Sequence, residues 1–186
     1  YSIFFQNGSW IRINPHHETE NLIEPLRLPG GLTVPPGRYS WWYFPVLYTF
    51  NPARRLSGAL SLRYETDYYG GSRSLVQVTP VLKLSSRFSA ELNYSFNRIR
   101  LAAGDPVSFH QVNNRINFAF SRKWLTSTSI QYNSSSDVIG VNFRLNYIYR
   151  PGDDLFIVYS DFRERRNLPA ELNRSIAIKF THSFDF

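Results

Sequence analysis

Apolar and polar residues alternate with a period of two along most of this chain. In residues 56–64, Leu56, Gly58, Leu60, Leu62 and Tyr64 share one side, and Ser57, Ala59, Ser61 and Arg63 the other. In 87–97, Phe88, Ala90, Leu92, Tyr94 and Phe96 oppose Arg87, Ser89, Glu91, Asn93, Ser95 and Asn97. In 139–149, Ile139, Val141, Phe143, Leu145, Tyr147 and Tyr149 oppose Gly140, Asn142, Arg144 and Asn146. Successive side chains of a strand point to opposite faces, so this period predicts strands. Residues 39–50 are apolar on both faces and 154–160 nearly so. No segment has a helical period.

Nine strands are expected, at about 38–50, 55–67, 73–85, 87–100, 111–121, 124–133, 138–149, 154–162 and 174–186. Upstream, residues 1–13 read as a hairpin, with Asn7-Gly8 supplying a type I′ turn. That brings about eleven strands into view. The connections read alternately short and longer: 51–54 and 68–72, then 85–86 and 101–110, 122–123 and 134–137, 150–153 and 163–173. Tight turns at one end and longer loops at the other are the habit of outer-membrane barrels. The expected fold is therefore an all-β, antiparallel transmembrane β-barrel, with residues 1–186 forming the C-terminal portion of an incomplete barrel. Residues 14–37 are expected to form a long extracellular loop within it. Single-chain bacterial barrels have even strand numbers, so an eleven-strand view predicts at least one more strand upstream. The chain opens on Tyr1 inside an apolar run, which suggests a fragment of a longer precursor.

Strand length and surface chemistry argue against a soluble β-sandwich. Several alternating runs last far longer than the usual strand of about 5–6 residues. The polar faces are mostly Ser, Asn, Thr and Gln, and the chain has three Lys. A membrane barrel turns its apolar face to lipid and its polar face to the lumen, which reverses the soluble arrangement. A soluble or surface-attached all-β carbohydrate-binding module is the alternative.

Composition adjusts this picture at three points. Aromatics make up 17% of the chain, with 12 Tyr, 15 Phe and 4 Trp. Many fall near predicted strand ends, as membrane-interface girdles do: Phe50, Phe88, Phe120, Trp124, Tyr149 and Phe184 at one end, Tyr64, Tyr68, Phe96 and Tyr132 at the other. The net charge is +7, but its arginines and lysines are scattered, whereas nucleic acid needs a continuous basic patch. Nucleic acid is not an expected partner. There is no Cys, which removes disulfides and thiolate metal sites.

The lumen is the expected place of function. Its candidate lining residues are Arg63, Glu65, Lys83, Glu91, Asn93, Arg115, Asn117, Gln131, Asn142, Arg144, Asn146 and Lys179. They read as a hydrated, ion-paired filling of the wall, or as a polar path for an anionic or sugar-like solute. Arg73, Arg98, Arg100, Arg163, Arg165 and Arg166 fall at the outer rim, where guanidinium groups can pair with lipid phosphates. His16-His17 with Glu18 and Glu20 lacks metal-ligand spacing, so no metal site is expected. No nucleophile elbow or phosphate loop is present, and no enzyme activity or cofactor is predicted. Pro151-Gly152-Asp153 reads as a turn, with Pro fixing its first corner and Gly taking a positive φ at the second.

Two resemblances extend this reading. The end of the chain, with Ile176, Ile178, Phe180, Phe184 and Phe186 in alternation, resembles the C-terminal signal through which outer-membrane barrels meet the barrel-assembly machinery; His182 departs from the usual apolar residue. The run NFRLNYIYRPGDDLFIVYSD (142–161), with EPLRLPGGLTVPPGRYSWW (24–42) and the stretch around QYNSSSDVIGVNFRLNY (131–147), resembles an uncharacterised outer-membrane family. In that family a domain similar to family-9 carbohydrate-binding modules precedes a β-barrel. The likeness covers most of the chain from about Asn21. It implies a Gram-negative outer membrane, contact with bilayer and lipopolysaccharide, and a link to carbohydrate through an upstream domain. The family offers no catalytic residues to transfer.

Overall fold

The computed structural model describes residues 1–164 and 173–182. The chain is all-β. In order the strands are β1 (Ser2–Phe4), β2 (Trp10–Ile13), β3 (His16–Leu22), β4 (Leu26–Arg27), β5 (Thr33–Val34), β6 (Gly37–Thr49), β7 (Leu56–Tyr68), β8 (Gly71–Ser85), β9 (Phe88–Arg100), β10 (Val107–Ala119), β11 (Trp124–Asn133), β12 (Val138–Arg150), β13 (Asp153–Glu164) and β14 (Asn173–Thr181). A short 3-10 turn, Pro29–Gly31, joins β4 to β5.

β4 and β5 form a small hairpin, and the other strands one antiparallel sheet, ordered β1-β2-β6-β7-β8-β9-β10-β11-β12-β13-β14, with β3 also on β6. Each of the nine strands expected from residue 38 onward is present, and the path has the expected eleven positions. Among the described residues β1 and β14 each have a neighbour on one side only, so the sheet is not closed into a barrel. Two compact units divide the chain: residues 1–80 with 94–111, and residues 81–93 with 112–186.

In the first unit β2 and β3 act as one strand. Ile13 lies opposite Val46 and His16 opposite Tyr43, so both pair with β6 in a single register. Pro15, which has no N–H to donate, marks the break between them. Residues 14–37, expected as a long loop, thus contribute β3 to the sheet. The apolar alternation that revealed the other strands is missing here, because HHETEN is polar on both faces.

Three turn details also depart from expectation. At 5–9 only Gly8 has a positive φ (82°), while a type I′ turn needs it at both central residues. Phe5 C=O accepts from Gly8 N–H at 3.0 Å, and Asn7 Oδ1 accepts from Ser9 N–H at 2.9 Å. The second departure is the β7–β8 link, expected to be long, which is the pair Tyr69-Gly70. The third lies on the opposite side of the chain's turns, where the 50–55 link is longer than its neighbours. The short-long alternation is therefore weaker than the sequence suggests. The Pro151-Gly152 turn holds, with Gly152 at φ +87°.

Burial does not follow the alternating apolar faces of the sheet. In the first unit Glu65, Ser57, Ser95 and Asn97 are buried, while Phe44, Leu62 and Tyr64, projecting from the other side of the same sheet, are 42%, 42% and 48% exposed. Among the described residues the buried apolar ones are Val34, Trp41, Tyr68, Tyr69, Ile99 and Phe109, all in this unit. Leu22, Leu26, Leu28, Leu32, Leu101 and Val107 pack around them. This core lies where β6 begins and β7 and β9 end, under the β4–β5 hairpin. It does not lie under the alternating apolar faces. In the second unit Phe143, Ile139, Ile130 and Phe118 remain exposed, and the residues of β14 are exposed throughout.

Candidate functional site

The polar face of the first unit carries a connected set of charged and hydroxyl groups around Glu65. Strand alternation puts Arg63 and Glu65 on one side of β7, and the β6–β7 register sets Tyr43 directly opposite Glu65. Glu65 is 2% exposed. Its Oε1 lies 3.2 Å from Arg63 Nε and 3.9 Å from Arg73 Nη1. The Arg63 Nε–H is not aligned for a hydrogen bond, so that contact is coulombic. Arg63 Nη1 donates to Tyr43 OH at 3.2 Å. Arg73 Nη2 donates to Asn97 Oδ1 at 3.3 Å, and Asn97 Nδ2 reaches Ser95 Oγ at 3.5 Å. Ser95 Oγ donates to Gln111 Oε1 at 3.2 Å. One chain of contacts thus ties β6, β7, β8, β9 and β10.

β3 adds an acidic edge to the cluster. His16 Nε2 lies 3.0 Å from Glu18 Oε1, and its Nδ1 lies 2.9 Å from Asn14 C=O. The imidazole ring sits 4.5 Å from that of Tyr43. Tyr69 OH donates to Glu20. Burial, reinforced by this carboxylate, raises the Tyr69 pKa above the ordinary tyrosine value. Trp41 closes the site from the core side, its ring 5.4 Å from Tyr68 and 5.0 Å from Tyr69. Its Nε1–H is buried without an acceptor among the described residues.

Chemically this arrangement ties neighbouring strands together. Its serine, Ser95, is bonded to the amide groups of Gln111 and Asn97. Glu65 is flanked by two guanidinium groups, and both are committed to Tyr and Asn partners. Among the described residues no group of three His, Cys, Asp or Glu side chains is placed to hold a metal.

The other predicted lining residues lie in the second unit. A groove of about 340 Å³ brings Asn117, Arg144 and Asn146 together with Ser89, Ser127 and Leu125. Asn117 Nδ2 donates to Ser89 Oγ at 3.2 Å, and Asn142 Nδ2 to Ser160 Oγ at 2.7 Å. The Arg144 guanidinium sits 4.2 Å over the Phe156 ring. Asn146 Oδ1 is buried with no partner among the described residues. Lys179 lies opposite Phe156 on the same face and is exposed, as are Glu91, Asn93, Arg115, Gln131 and Lys83.

Several site residues escape sequence reasoning. Arg73, expected at the outer rim as a partner for lipid phosphate, lies on the polar face beside Glu65. Tyr68, expected in the aromatic girdle, is in the core, because Asp67 at φ +58° turns the chain just before it. His16, Glu18 and Glu20 join the cluster only because β3 is a strand. Ile176, Ile178 and Phe180 line one face of β14 and are 71%, 71% and 62% exposed. Phe184, Phe186, Arg165 and Arg166 lie outside the described residues. Asp153 is buried and meets His182 Nδ1 at 2.6 Å, a partner the turn reading did not foresee.

Compared with family models, with curated proteins and with solved structures, the chain matches none.

Proposed function

We propose that this chain is part of a transmembrane β-barrel in the outer membrane of a Gram-negative bacterium, non-enzymatic, and serving chiefly as a membrane anchor. Its partners in this reading are the lipid bilayer, lipopolysaccharide and the barrel-assembly machinery, with carbohydrate reached through a domain upstream. One observation carries the reading: the sheet buries Glu65, Ser57, Ser95 and Asn97 while leaving Phe44, Leu62 and Tyr64 of the opposite face exposed. In water that polarity costs about 25 cal/mol for every Å² of apolar surface left exposed. In a bilayer it costs nothing, and the apolar face becomes the contact with lipid.

Dimensions agree. The apolar positions of β7 run from Leu56 to Tyr64. At about 3.4 Å per residue and a tilt of about 45°, nine residues cover roughly 20 Å of membrane normal, close to the roughly 25 Å apolar band of such barrels. Phe50, Phe120, Trp124 and Tyr149 lie at strand ends and are exposed, as a girdle requires.

Anchor is preferred to open pore because the polar face of the first unit is filled by side chains and capped by the leucines of 22–32. The full-length protein should fractionate with outer membranes and migrate faster on gels before boiling than after. Recovery as a soluble species with no heat-modifiable band would support the alternative, a soluble or surface carbohydrate-binding module. Large, stable single-channel currents in planar bilayers would replace the anchor with a pore.

A further inference from the structure

The six arginines that the sequence assigns to the outer rim do not have the same fate. Arg73 is committed to Glu65, Asn97 and Tyr68 on the polar face. Arg163 forms a two-point contact with Asp161, at 3.1 and 2.8 Å, which Arg174 joins at 3.3 Å. Arg165 and Arg166 lie outside the described residues. Arg98 and Arg100 remain: both are exposed, and neither has a hydrogen bond or ion pair among the described residues.

Their setting is specific. Asn97 and Ile99 are buried, so alternation sends Arg98 and Arg100 to the opposite, apolar face of β9. Below them on that face are Tyr94 and Phe96, whose rings meet His110 at 6.0 and 5.0 Å. The two arginines line a cleft of about 190 Å³ with Tyr64, Ser72 and Ser74. The cleft thus offers two guanidinium groups and three hydroxyls, and no carboxylate lines it. The aromatic rings mark the level where an apolar band ends.

We propose that this cleft binds a phosphate of an outer-leaflet glycolipid, with Arg98 and Arg100 as charge-assisted donors and Tyr64, Ser72 and Ser74 as hydroxyl donors. The inference rests on the membrane-barrel reading. Among the described residues no carboxylate pairs with these two arginines, which stand two residues apart on β9, and acyl chains would lie along the apolar positions below. Free inorganic phosphate shares the headgroup chemistry but would gain nothing from that apolar face.

The test uses the full-length protein in detergent micelles, with native mass spectrometry reading retained ligand. The probes are diphosphoryl lipid A, the same lipid with both phosphates removed, and inorganic phosphate. Diphosphoryl lipid A should bind, the dephosphorylated lipid and inorganic phosphate should bind at least about tenfold more weakly, and R98Q/R100Q should lose about tenfold or more in affinity for the first probe. R54Q/R55Q, in the 50–55 turn, should bind like the wild type. Equal binding by R98Q/R100Q, indifference to the phosphates, or preference for inorganic phosphate would each overturn the proposal. Heat-modifiable mobility of the same samples separates the two readings. A variant that keeps the shift and keeps lipid A sinks this cleft alone, whereas a wild-type protein without the shift sinks the membrane reading and this one with it.

Discussion

Glu65 is the residue on which the polar cluster turns. Removing one partner of a buried charge group leaves the others uncompensated, which costs more than the group contributes when intact. Glu65→Ala leaves Arg63 and Arg73 facing each other and should destabilise the folded protein by about 3 kcal/mol. The triple change R63M/E65L/R73M, which removes the whole set, should cost less. Urea titrations in detergent, read by tryptophan fluorescence, compare the two; a triple variant less stable than the single one would contradict the account. Tyr69 gives a pH prediction. Its pKa is raised in the folded state by burial and by Glu20, so the folded form holds the phenolic proton to higher pH than the unfolded chain does. That contribution to stability is complete below about pH 10 and is lost as pH rises through the raised value. Tyr69→Phe should therefore flatten the fall in stability above about pH 10, in denaturant midpoints measured from pH 8 to 11.

Strand-scale features were the most legible part of the chain. The runs at 56–64, 87–97 and 139–149 declare themselves by long alternation, and those at 39–50 and 154–160 by apolar residues on both faces or nearly so. What was hidden has physical causes. β3 is polar on both sides and shows no contrast to read. The Asp67–Gly70 turn inverts the facing of Tyr68 through positive φ angles at Asp67 and Tyr69. Trp41, Ile99 and Phe109 sit on the polar side of their strands, and only the leucine-rich hairpin folded against them explains why. The groove around Asn117, Arg144 and Asn146 was legible as a face but not as a cavity. Close packing between strands yields a prediction at this scale. A Cβ at Gly58, where φ is +126°, would stand 2.0 Å from Thr79 C=O. Gly58→Ala must push β7 from β8 as well as strain the backbone, and should cost about 2–4 kcal/mol, measured by denaturant midpoint. Val34, 1% exposed, holds the β4–β5 hairpin to the core. Val34→Asp should leave the β10–β13 amides protected from hydrogen exchange while opening those of 23–36.

For the molecule as a whole, the claim is that the alternating apolar faces meet hydrocarbon. These 186 residues contain no cysteine, so a single cysteine introduced among them is the one labelling site they contribute. Spin labels placed in turn at 141 to 146 of β12, in the full-length protein reconstituted in lipid bilayers, report collisions with oxygen, which concentrates in lipid, and with a nickel chelate, which stays in water. Labels replacing Val141, Phe143 and Leu145 should favour oxygen, and those replacing Asn142, Arg144 and Asn146 the nickel chelate, with a period of two. Equal access of the nickel chelate to all six positions, or the opposite phase, would contradict the account.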